Sequence, residues 1–225
     1  LVFAHHVTLA CGIIRRDVTD LAAPRKEDTV PQTAPTDQIY QIKITLRDSK
    51  PPIWRRVELP SATTLPKLHS IIQTVMGWYD YHLHQFKVGR IVYGVPDPDD
   101  YIEVHDERRV KLNQVLANPK DKFVYEYDFG DSWEHVVELE QILPPDPSAS
   151  YPRCTAGKRS GPPEDCGGIW GYAGLLDTLA DPGHPEHATM LEWVGGDFDP
   201  ELFDLEATNQ ALHPPRSRAR GKKES

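Results

Sequence analysis

Tyr127-Asp128-Phe129-Gly130-Asp131-Ser132-Trp133-Glu134-His135 decides how the chain is read, because two strand-patterned runs meet there at a short acidic connection. Upstream, Phe123, Tyr125 and Tyr127 alternate with polar or smaller residues. Downstream, Trp133, His135, Val137 and Leu139 do the same. A period of two puts successive members on one face of a half-buried strand, and Gly130 suits a connection of this length, so the pattern predicts a β-hairpin. Asp128 and Asp131 fall at its bend and His135 shares its apolar face, so polar chemistry sits where a core is expected.

Working outward, Tyr40, Ile42, Ile44 and Leu46 alternate with Gln41, Lys43, Thr45 and Arg47, which predicts a strand opening at Ile39. Pro51-Pro52 precedes a second alternating run, Ile53 to Leu59, whose simplest partner is the first. Thr63-Thr64 before Leu65-Pro66 is a helix start, and Leu65, Leu68, Ile72, Val75 and Met76 recur at helical spacing until Gly77. An aromatic turn, Trp78 to Tyr81, leads to a strand with His82, His84, Phe86 and Val88 on one side. Gly89-Arg90 turns it into Ile91-Val92-Tyr93, and Val110 to Leu116 reads as a helical turn.

Beyond Pro144-Pro145-Asp146-Pro147 a Pro/Gly-rich loop from Tyr151 to Gly168 leads into helical stripes: Tyr172, Leu175, Leu176 and Leu179, then Met190, Leu191 and Val194 behind Pro185. Asp199-Pro200-Glu201 reads as the cap of a third helix carrying Leu202, Phe203, Leu205 and Leu212. The expected class is α+β: a mostly antiparallel sheet, one helix after the second strand, and a C-terminal group of three short helices packed on the sheet.

At 225 residues and 39% hydrophobic, the chain supports one good core, which we place over 39–214. Residues 1–38 read as a flexible leader; their apolar part is too short for a membrane span and lacks the basic flank of a signal peptide. Residues 215–225, with Arg216, Arg218, Arg220, Lys222 and Lys223, read as a basic disordered tail. Three cysteines without a Cys-x-x-Cys pair fit a reducing, cytoplasmic setting. The net charge of -9 is uneven: from Ser160 to Pro215 there are 11 acidic residues and no Lys or Arg. Such a region disfavours phosphate and favours a metal cation or a basic partner, unless it is simply a solvated acidic surface.

Several motifs together resemble one family. They are Pro51-Pro52-Ile53-Trp54-Arg55-Arg56, Met76-Gly77-Trp78, His82-Leu83-His84-Gln85-Phe86, Tyr127 to Trp133 with His135, and Pro162-Pro163-Glu164-Asp165-Cys166-Gly167-Gly168. Asp181-Pro182 with His184 and His187, and Phe198-Asp199-Pro200, complete the set. In this order, over about residues 39 to 212, the chain is similar to the plasmid pRiA4b ORF-3-like family. The resemblance implies a compact α+β domain from a plasmid or transposon neighbourhood and no established activity. It also implies a further cysteine just before Pro162, where this chain has Gly161, so a ligand set that includes that cysteine is in doubt here.

For chemistry, Asp128 and Asp131 form the best carboxylate pair, with His135 toward the same end of the sheet; these three are the candidate catalytic residues. His82 and His84, two apart on a strand, would present imidazoles about 7 Å apart on one face, as ligands or as hydrogen-bonded residues at the core edge. His184 and His187 would share a face of a first helical turn, where the dipole favours neutral rings, three residues or more after the potential cap Asp181. Glu164 and Asp165 can supply a hard ligand or cap the following helix, and Cys154 and Cys166 are candidate thiol ligands. A divalent metal such as zinc is the cofactor these residues would hold. Nucleic-acid contact has one candidate patch, Arg47, Lys50, Trp54, Arg55 and Arg56. It is opposed by 28 acidic against 16 basic residues over 39–214, and strand alternation splits Arg55 from Arg56. The lead expectation is a binding or interaction domain with a polar carboxylate and histidine pocket; the alternatives are a metal-dependent hydrolase and a nucleic-acid-binding accessory protein.

Overall fold

A computed structural model describes residues 38–98 and 102–214. The expected leader before Gln38 and the basic tail lie outside the described residues. The strands are β1 (Ile39–Leu46), β2 (Trp54–Pro60), β3 (His84–Val88), β4 (Ile91–Gly94), β5 (Val104–Asp106), β6 (Lys122–Tyr127), β7 (Trp133–Leu143) and β8 (Arg153–Lys158). The helices are α1 (Leu65–Met76), α2 (Leu112–Val115), α3 (Gly168–Ala180), α4 (His187–Trp193) and α5 (Leu205–Leu212). The strands make one sheet in the order β5-β4-β3-β6-β7-β1-β2-β8. Neighbours run antiparallel except β4 and β5, which are parallel. The class is therefore α+β, as the patterns predict.

The hairpin at 127–135 joins β6 to β7, with Tyr127 opposite Trp133 and Tyr125 opposite His135. Alternation fixes which way each strand faces, because a slip of one residue would exchange core and solvent sides. Tyr40, Ile42, Ile44 and Leu46 of β1, Val57 and Leu59 of β2, and Trp133, Val137 and Leu139 of β7 are all buried on one face. On this face lies α1, burying Leu65, Leu68, Ile71, Ile72, Val75 and Met76. The helix ends where Gly77 adopts φ 84 and the amides of Gly77 and Trp78 both donate to the Gln73 carbonyl. A left-handed residue closing the last carbonyls is what glycine provides at lowest cost here.

The other face of the sheet is joined across strands by ion pairs. Arg56 binds Glu140, Lys87 bridges Glu126 and Glu134, Arg47 meets Glu134, and Arg153 meets Glu58. Arg55 instead points inward and is 2% exposed, donating to the carbonyls of Trp54, Val75 and Lys158 beneath the Phe203 ring.

Four boundaries differ from the sequence reading. β8 lies within the segment read as a loop, because Cys154 to Gly157 carry little strand propensity and gain their ladder only by pairing with β2. β5 likewise owes its existence to β4. Pro185 precedes α4 rather than standing in its first turn. The third C-terminal helix begins after Asp204, whose side chain accepts from the Ala207 amide, while Asp199 instead closes a turn by accepting from Glu201. Two competent caps five residues apart made that start ambiguous.

His135 is fully enclosed: Nδ1 contacts the Trp133 carbonyl at 3.1 Å, Nε2 has no partner, and burial lowers its pKa to about 3. In the unfolded chain it would titrate near about 6.5. Below that pH the unfolded state takes up a proton that the folded state refuses, so stability falls as pH drops toward 3, by about 5 kcal/mol in all. Urea unfolding from pH 7 to 4 should show this loss, and His135→Phe should flatten the slope. An unchanged slope in the variant would exclude His135 as the source.

Candidate functional site

The site forms where three connections meet at one end of the sheet: the segment from Trp78 to Leu83, the β6–β7 connection, and the run from Gly161 to Gly167 before α3. Tyr127 joins them. Its hydroxyl donates to Glu164 Oε1 at 2.5 Å and accepts from the amides of Tyr81 and His82. Glu164 Oε2 accepts from the Tyr79 amide, and the Trp78 indole donates to the Pro162 carbonyl. Burial and the adjoining carboxylate push the Tyr127 pKa upward, so it remains a phenol. The run packs tightly: a Cβ on Gly161 would lie 2.1 Å from the Met76 carbonyl oxygen, and one on Gly168 2.4 Å from that of Asp131. No side chain fits at 161 without moving the backbone, which bears directly on the cysteine implied there.

His82, Asp128 and Asp165 converge within this frame, each offering a ligand atom within 4.8 Å of the others. His82 Nε2 lies 3.0 Å from Asp165 Oδ1 and 3.7 Å from Asp128 Oδ2. The nitrogen is buried yet makes no hydrogen bond among the described residues, Asp128 lying beyond hydrogen-bond distance and Asp165 being near but poorly aligned. Asp128 is itself buried; its Oδ1 accepts from the Gly130 amide, and its own amide donates to Leu83. Asp128 at φ 58 and Asp165 at φ 59 both occupy the left-handed region, an unfavourable conformation for residues with a side chain. Exposed rings adjoin the cluster residues along the chain: Tyr79 stacks on Tyr81 at 5.8 Å just before His82, and Phe129 follows Asp128.

The remaining predicted residues lie elsewhere. Asp131 pins the neighbouring loop by accepting from the Gly167 amide rather than joining Asp128. His135 is sealed in the core. His84 separates from His82 because His82 precedes β3, so the two imidazoles do not share a strand face. His184 precedes α4 and accepts from the Glu186 amide, while His187 Nδ1 meets the Thr178 carbonyl at 3.0 Å. Cys154 is buried on β8, and Cys166 is half-buried with its thiol pKa pushed up to about 12 by desolvation, then by Asp131. Of the basic patch, Arg47 and Arg56 are spent on Glu134 and Glu140, Arg55 is buried, and Trp54 lies beneath Lys43 and Arg56; Lys50 lies on the β1–β2 turn.

Beside the site is an imidazole pair, one ring buried and the other nearly so, that sequence reasoning missed in part. His69 of α1 and His84 of β3 stack with centroids 3.6 Å apart and planes 7° apart. His69 contacts Asp80 and the Tyr125 hydroxyl, both at 2.8 Å, and His84 contacts the buried Glu107 at 3.1 Å. Burial, then His84, lowers the His69 pKa against the pull of Asp80, leaving the ring neutral near pH 7. A signal existed: His69 lies four residues after Leu65 and three before Ile72, on the apolar stripe of α1.

A family of small α+β proteins is thus defined by this sheet and by motifs that meet at one end of it. The description "Plasmid pRiA4b ORF-3-like protein" matches residues 38–207, and the chain belongs to that family. It is similar to the "Uncharacterized protein y4hQ" of Sinorhizobium fredii, 36% identical over 176 residues, which covers 77% of this chain and 90% of the relative. Among solved structures it is similar to a protein of unknown function, MM3350, from Methanosarcina mazei Go1, with a TM-score of 0.69 and 40% identity, covering 76% of this chain and 97% of that one.

Tyr127→Phe removes the hydroxyl shared by Glu164, Tyr81 and His82. It should cost about 2 kcal/mol and leave the Tyr81 and His82 amides exchanging faster with solvent. Hydrogen-exchange NMR checks this, and unchanged protection at both amides would refute the joining role.

Proposed function

We propose that this chain is a binding domain whose ligand is a divalent cation, held by His82, Asp128 and Asp165. The observation that carries the reading is the buried His82 Nε2, without a hydrogen bond, facing two carboxylates within ligand distance of a shared centre. One imidazole with two carboxylates suits zinc or manganese better than a soft metal. Neither cysteine belongs to this set, and neither do His135, His184 or His187. No helix among the described residues is long and apolar enough to cross a membrane. The plasmid named in the family's description supports a role near mobile elements.

A metal-dependent hydrolase is the second reading. It is favoured by the ligand count, since three protein ligands leave coordination positions for water or a substrate, as catalytic sites do and closed structural sites do not. Nucleic-acid binding through the basic patch is weaker, because its arginines already hold carboxylates or backbone carbonyls.

Protein prepared without a histidine tag should bind about one zinc or manganese ion per chain by elemental analysis and calorimetry. His82→Ala, Asp128→Ala and Asp165→Ala should each weaken binding by about tenfold or more, while His187→Ala leaves it unchanged. Failure to bind either ion at millimolar concentration, or variants that titrate like the parent, would remove the proposal. Hydrolysis of an activated phosphodiester that needs the ion and is lost with Asp165→Ala would select the second reading.

A further inference from the structure

We infer that a second ligand site lies between the β1–β2 turn and the first half of α3, and that it takes a small organic anion with an apolar body, such as an arylalkanoate. The cavity there measures about 510 Å³, within the range that small-molecule sites occupy. Ile169 and Leu176 form its apolar wall, and Trp170 stands at its rim, 86% exposed. None of His82, Asp128 and Asp165 lines it, so this inference does not rest on the metal reading.

Two buried donors on the lining choose the ligand. Arg159 and Tyr172 are each 3% exposed. Arg159 Nε donates to Glu201 and Nη1 to the Pro51 carbonyl, which leaves Nη2 without a hydrogen bond. The Tyr172 hydroxyl is buried and has no hydrogen-bond partner among the described residues. Desolvation pushes its pKa up to about 12, with Arg159 pulling the other way, so the group is a phenol able to donate. Buried polar groups are nearly always satisfied, and an acceptor on a bound ligand is what would satisfy the Tyr172 hydroxyl.

Glu201 already answers the charge of Arg159, and Lys50, at the rim with no ion pair among the described residues, offers the positive charge that a carboxylate would meet. Asp48 and Asp177 also border the cavity; both are exposed, as Lys50 is, so the rim charges of either sign are screened alike by water and salt. The enclosed groups, the Arg159 guanidinium and the Tyr172 phenol, are donors, and they favour a ligand that presents acceptor oxygens, as a carboxylate does.

The intact chain is titrated with 4-phenylbutyrate and with 4-phenylbutanol, its neutral counterpart, by ligand-observed NMR and calorimetry. The acid should bind about tenfold more tightly than the alcohol. Tyr172→Phe should cut the acid's affinity roughly fivefold without lowering Tm, because it deletes a hydroxyl that has no partner in the fold. Ala173→Trp, which fills the cavity from an exposed helix position, should abolish binding of both compounds. Equal affinity for acid and alcohol, no binding of either, or a Tyr172→Phe variant that keeps the parent affinity or melts lower would overturn the inference.

Discussion

The Tyr127 hydroxyl is the point on which the site depends. A phenol at the end of a sheet strand donates to one carboxylate and accepts from two backbone amides, and those three partners come from segments 37 and about 45 residues away. The bond has consequences because its groups are partly withdrawn from water, where replacing a lost partner with solvent is costly. Glu164 fixes where Asp165 stands, and the Tyr81 and His82 amides fix where the His82 ring stands. The hairpin fixes Asp128 directly. A cluster of metal-ligand character thus follows from a hydrogen-bond junction that contains none of the three ligand side chains.

The fold was legible where burial on one face imposes a period. β1, β2, β6, β7 and α1 all announce themselves by alternation or by a helical stripe, because each presents a single apolar face to the same core. β5 and β8 were not legible, since both are edge strands whose ladder is supplied by a neighbour rather than by their own residues. Sequence also distinguished Arg55 from Arg56, and the structure puts one inside and the other on the ion-paired face.

The site was only partly legible, for a different physical reason. His82, Asp128 and Asp165 all stood among the candidates, but so did Asp131, His135, His184 and His187, and spacing along a chain does not say which loops will meet. Asp128 and Asp131 illustrate the limit: they are three apart on one short connection, yet one faces His82 and the other caps an amide of the next loop. The positive φ at Asp128 turns its side chain out of the strand pattern, and no residue preference of Asp alone announces that. His69 escaped notice because a buried titratable residue inside an apolar stripe reads as an ordinary polar substitution until its partner is seen, and Glu107 because it stands in the charged run from Asp106 to Arg109, where burial is not expected.

The crossing of Gly161 over the end of α1 has a consequence for any shortened form of the molecule. Met76 and Trp78 belong to the first half of the chain and the run to the second, and only the packing of one on the other brings Glu164 to Tyr127 and Asp165 to His82. A nascent chain halted before residue 160 would own the entire central sheet and still lack this corner. The corner therefore needs residues beyond 160, and it marks the whole domain as distinct from any fragment that already resembles it.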